Sequence, residues 1–270
     1  MNRQVFRQAL VLSRKTLIVA CAGVAVMLYL SLAGTAAFAQ DFAAPGGGGG
    51  FFENPPKALE AITGGTLDFF SPIGWVSSAI MHPISLTLQT LAALTIAVSV
   101  PTESERGTLD LVLSRPVSRP AYLRSKMAAA VVAVLLVELS GLISLLLARA
   151  TLSDVDEVPL GAMVRMFATA ACLFVAFSMV AFLISSRSSL RARALGLSVG
   201  VVVGAFFVNF LGLLFDGAGF LRYLSPFYYF APADILRGAA PGFHPAVLLA
   251  IAAAALLAAL RLFSARDLTR

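Results

Sequence analysis

Charge is what this 270-residue chain has least of: Asp, Glu, Lys and Arg make up 13% of it. A soluble domain carries about 25%. That little charge cannot clothe a chain that is 59% hydrophobic, with a mean hydropathy of +0.89. An ordinary water-soluble globule is excluded. Disorder is excluded too, because it needs low hydrophobicity and high charge. Cysteine is nearly absent, and Cys21 and Cys172 both lie inside apolar runs. They make no disulfide framework and read as small buried hydrophobes. The two histidines, His82 and His244, are each followed by proline. There is no H-E-x-x-H, no clustered Cys/His ligand set and no nucleophile elbow. The glycine run at 46–50 lacks the Gly-Lys-Ser/Thr ending of a phosphate loop and reads as a flexible linker. No catalytic constellation, metal site or bound cofactor is expected of this chain.

What the chain has instead is long apolar runs. Crossing a bilayer takes about 20 mostly apolar residues. Six stretches qualify: 16–38, 78–100, 127–148, 162–185, 194–215 and 246–263. Each has to be helical, because hydrocarbon offers no partner to backbone N–H and C=O groups. The expected fold is an all-α integral membrane protein, with one transmembrane domain over residues 1–270.

Orientation follows from Lys and Arg. With six spans, the basic clusters at 3–15, 106–126, 187–193 and 261–270 all fall on one side. The other side collects acids, among them Asp41, Glu53, Glu60, Asp154 and Glu157. By the positive-inside rule both termini are expected to be cytoplasmic, and the expected location of this multi-pass chain is the inner membrane of a bacterium. The net charge of +6 is then a topology signal. No aromatic-interleaved basic patch points to nucleic acid.

The loops add detail. Residues 1–15 place Val5, Phe6, Ala9, Leu10 and Leu12 near one helical face, which suits an interfacial helix. Ala37-Phe38-Ala39 looks like a signal-peptide cleavage site, but the apolar run before it exceeds the usual 7–15 residues, so a retained span is expected. The external loop 39–77 carries apolar residues from Leu59 to Phe70 that suggest a short segment folded back onto the membrane. Segment 216–245 is rich in aromatics and broken by Pro226, Pro232 and Pro241. It reads as short re-entrant helices dipping into the outer membrane face.

Among intramembrane polar residues Glu138 stands out, almost central in the third apolar run. A carboxylate there costs a few kcal/mol on insertion scales, so it is expected to be neutral, paired or turned to water. Asn209, Arg165, Gln89 and Ser140 are candidate partners. One reading makes Glu138 the proton site of a secondary transporter, the other a hydrogen-bonding group between helices.

The loop 101–126 carries the strongest signal. Thr102 followed by Glu105 reads as a capping box, and Pro101 as the break from the second span. Leu109, Val112 and Leu113 form an apolar edge, with Glu103, Glu105 and Asp110 polar. Pro116 ends the helix. A capped helix with an exposed apolar edge, held outside the membrane, calls for a groove to sit in.

At these residues the chain resembles ABC transporter permeases of the type-two exporter class. The resemblance rests on Glu103-x-Glu105-Arg106-Gly107-Thr108-Leu109-Asp110-Leu111, then Leu113-Ser114-Arg115-Pro116-Val117-Ser118-Arg119 and Lys126. It extends to the six spans, the interfacial helix and the re-entrant pieces before the last span. It implies a permease pairing with a second copy or a paralogue. It also implies two separate cytoplasmic ATPase subunits, which bind the ATP and magnesium. Segment 103–114 would be the coupling helix docked on the ATPase, with Gly107 permitting close approach and Arg115 and Pro116 closing the motif. Substrate would pass between the two copies. The same architecture also serves membrane subunits that mature periplasmic enzymes.

Overall fold

The computed structural model describes residues 1–43, 71–114, 117–152 and 155–265. They are helical almost throughout, and among them no strand occurs. In chain order the helices are α1 (Arg3–Ala43), α2 (Pro72–Met81), α3 (Pro83–Glu105), α4 (Thr108–Leu113) and α5 (Arg119–Thr151). There follow α6 (Leu160–Arg187), α7 (Arg191–Leu214), α8 (Pro232–Arg237) and α9 (His244–Ser264). Six of these, α1, α3, α5, α6, α7 and α9, are long and apolar enough to cross a membrane. The glycine run 46–50 and the apolar residues 59–70 lie outside the described residues.

α1 is capped by Asn2, whose Oδ1 accepts from the N–H groups of Gln4 and Val5 at 2.9 and 3.2 Å. The basic segment 1–15 forms the first turns of α1, with no break before the apolar run. Val5, Ala9, Ser13 and Leu17, spaced four apart, are buried along one face, while Leu12 stands exposed.

The second span differs from its sequence pattern at both ends. Pro83 disfavours helix at the residue before it, and His82 takes an extended ψ of 133°. Residues 78–81 therefore belong to α2, and the span starts at Pro83. The Nδ1 of His82 accepts from the Ile84 N–H at 3.2 Å and caps it. At the far end α3 continues through Pro101 to Glu105. The Thr102 hydroxyl donates back to the Val98 carbonyl at 2.8 Å, so Thr102 sits inside a helix and the expected capping box does not form. A membrane bundle tolerates proline inside a helix, because neighbouring groups satisfy the freed backbone. The stop comes at Gly107, whose φ of +69° is the left-handed conformation that ends helices.

α6 is the most buried span, with α9 packed along it, and α1 pairs with α5. Without a hydrophobic drive between helices in lipid, small residues and hydrogen bonds hold such pairs. Ser140 and Ser144 of α5 donate to the carbonyls of Cys21 and Ala25 of α1, at 3.2 and 2.6 Å. Gly141 lets α6 come close: a Cβ there would stand 2.6 Å from Cε1 of Phe167. α7 is the least covered span.

Between α7 and α9 the chain breaks into the expected short pieces: 3₁₀ segments Asp216–Leu224 and Pro226–Tyr229, then α8. The Ser225 hydroxyl donates to the Ala205 carbonyl of α7 at 2.7 Å. The Phe227 ring packs against Phe177 and Phe206, with centroids 5.4 and 5.6 Å away. The partly buried Tyr228 phenol is pushed up by lost hydration and by its Tyr223 neighbour, against the pull of Arg222.

Candidate functional site

Five of the six spanning helices, α3, α5, α7, α9 and the start of α1, are tied together at one end of the bundle, the end where the basic clusters lie. The Asn2 N–H donates to Oγ of Ser125 in α5 at 2.7 Å. Lys126 of α5 reaches α3, with its Nζ 2.6 Å from Oε1 of Glu103 and 2.7 Å from Oγ of Ser99. The Tyr122 hydroxyl donates to the other oxygen of Glu103 at 2.5 Å. Its ring stacks on Phe263 of α9, with centroids 5.9 Å apart. Oε2 of Glu105 accepts from the backbone N–H of Arg191, the first residue of α7, at 3.1 Å.

Burial makes this network unusual. Lys126 is 3% exposed and Tyr122 1%. A buried ammonium is costly unless paired and hydrogen-bonded. Here Glu103 supplies the countercharge and Ser99 a further acceptor.

α4 projects beyond this knot. Gly107 turns the chain, and the Thr108 hydroxyl donates to the Glu103 carbonyl at 3.2 Å. Glu105, Arg106, Gly107, Thr108 and Leu111 are exposed, Leu111 at 69%. The expected apolar edge is thus turned around at Leu109, which is 1% exposed and packed in the core. The side chains of Asp110, Val112 and Leu113, and all of Arg115 and Pro116, lie outside what is described. Gly107 has open space where a Cβ would stand, so its backbone turn, and no close approach within this chain, is what calls for glycine.

A cleft of about 1150 Å³ opens between α1, α3 and α7. Its basic end is lined by Gln8, Thr102, Glu103, Arg106 and Arg191. Its opposite end is lined by Pro83 and the rings of Phe206, Phe207, Phe210 and Phe227. It is therefore amphipathic along its length. Neither Glu138 nor Asn209 lines it. Both are buried elsewhere, 4% and 5% exposed, each with one side-chain oxygen that has no hydrogen-bond partner. The structure does not bring the intramembrane polar residues and the loop motif into one site. Nor do three His, Cys, Asp or Glu side chains gather at one point among the described residues.

Sequence reasoning missed the contribution of Ser99, Tyr122 and Arg191. Glu103 and Lys126 stand in one motif but 23 residues apart, and only the antiparallel pairing of α3 with α5 brings them together. Beside the cleft, Gly196, Gly200 and Gly204 of α7 form an exposed stripe. An added Cβ at any of them would meet no atom within 4 Å.

No curated protein matches the chain. A family model described as "ABC-2 family transporter protein" matches residues 51–268, which is most of it and includes α2 to α9. The six apolar helices fit that match. The chain belongs to the ABC-2 transporter family and is a multi-pass membrane protein of the ABC permease type.

Proposed function

We propose that the chain is the membrane subunit of an ATP-driven exporter, powered by separate ATPase subunits that dock on the loop around α4. The observation that carries this reading is α4 itself. A short helix follows a left-handed glycine, with Leu109 packed inward, Leu111 turned outward, and the end of α3 before it tied to α5 and α7. An exposed apolar side chain on a rigid mount is what a groove on a partner takes. The basic residues at this end support a cytoplasmic position for it, where ATP is, with the N-terminus on the same side.

The docking face consists of Arg106, Gly107, Thr108 and Leu111, with the acidic Asp110 and Leu113 completing the helix. A second copy covers α7. Its exposed Gly196, Gly200 and Gly204, four residues apart, are the pattern that lets membrane helices approach closely. The cleft of α1, α3 and α7 then opens toward the interface between copies, and substrate passes there. Its polar inner end and aromatic outer end suit an amphiphile better than a free ion.

The test is co-expression with an ABC ATPase subunit and affinity capture of the permease. The wild type retains the ATPase, and Leu111→Asp releases it while the permease itself stays folded. Capture of the wild type with no ATPase overturns the reading.

A further inference from the structure

We propose that Glu103 and Glu105 are positioning residues inside the permease, an anchor and a latch that carry motion of α4 to the cleft, and not contacts to the ATPase. This rests on the reading of α4 as the docking helix. Two residues apart on a helix, their side chains leave about 200° apart, so they cannot serve one face.

Glu103 points to α5. Both its oxygens are used, one by Lys126 and one by Tyr122. Through the Tyr122 ring it also reaches Phe263 of α9. This side of α3 is fixed, because separating the pair strands a buried ammonium. Glu105 points to α7. There Leu190 precedes the first turn and has no side-chain oxygen to cap it, leaving the Arg191 N–H an orphan donor. The Glu105 carboxylate fills that place from another helix, where the helix dipole also favours a negative charge. The contact is a single bond at an exposed position.

The asymmetry gives the mechanism. α3 and α7 are two walls of the cleft, and Arg191 lines its basic end. The Glu105 bond joins those walls, while Glu103 locks α3 to α5. When the ATPase moves α4, the strong tie holds and the weak one yields. α7 then swings from α3, and the cleft opens at its basic end.

The experiment places spin labels at Ser114→Cys, directly after α4, and Leu197→Cys on α7, both exposed sites, with Cys21 and Cys172 replaced by serine. Distances are read in the purified permease, alone and with its ATPase. Glu105→Ala is expected to broaden the α4–α7 distance distribution even without ATPase, and Glu105→Gln, which keeps an acceptor oxygen, to restore it. Capture of the ATPase by Glu105→Ala is expected to stay within about twofold of wild type. For Glu103 the charge-free pair Glu103→Leu with Lys126→Met avoids the stranded ammonium, and is expected to keep ATPase capture as well. A loss of capture of about tenfold or more in either variant, with the distances unchanged, makes these residues docking contacts and overturns the proposal. So does an unbroadened distance in Glu105→Ala. If the wild type captures no ATPase, the function reading fails, while the distances in the permease alone still decide the latch.

Discussion

Lys126 is 3% exposed and forms a salt bridge with Glu103, 2.6 Å away. Its position at the start of α5 makes it the point through which the loop motif grips the bundle. Removing one member of a buried pair strands the other and costs about 3–5 kcal/mol. Lys126→Met is therefore expected to lower thermal stability in detergent strongly. Adding Glu103→Leu is expected to recover most of that loss. Melting curves of the two variants check it.

Gly107 turns the chain from α3 into α4 with a φ of +69° and open space around it. Gly107→Ala adds no clash, yet forces an L-residue into the left-handed region at about 1–2 kcal/mol. The expected outcome is a displaced α4 and weaker ATPase capture, with little change in the melting temperature of the spans. Gly238, at φ +74° beyond α8, is the matched control: its alanine variant carries the same strain and leaves capture unchanged.

Gly200 is the centre of the exposed stripe on α7. Nothing within the chain fills the space beside it, so Gly200→Leu is not expected to disturb the fold of one copy. Between copies it holds the helices apart. Single-molecule photobleaching in vesicles is expected to shift from pairs to single copies.

Glu138 tests the alternative of proton coupling. It is buried, with one oxygen unpartnered, and away from the cleft. Glu138→Gln is expected to leave ATP hydrolysis by the assembled complex unchanged. A dependence of substrate movement on a proton gradient that Glu138→Gln abolishes favours the secondary-transport reading.

The six spans were legible because each is a run of apolar residues long enough to cross hydrocarbon, and composition alone reveals that. Their ends were legible only where local rules and packing agree. At His82-Pro83 the proline rule names the break, yet the apolar run continues through it, and hydropathy misplaces the start. At Pro101 the same rule predicts a break that the bundle overrides. The facing of α4 was hidden, because six residues are too few for periodicity to choose between Leu109 and Leu111. The Glu103–Lys126 link was hidden for another reason: it is made across two antiparallel helices, and no local period records it.

The mass of the purified assembly shows whether the chain works as a paired permease driven by separate ATPase subunits. The chain is co-expressed with an ABC ATPase subunit, and the complex is weighed in detergent by light scattering or native mass spectrometry. Two copies of the 28.3 kDa chain with two ATPase subunits are expected, and two bare copies when Leu111→Asp is introduced. A permease that travels without ATPase, whether or not ATP is present, contradicts this reading.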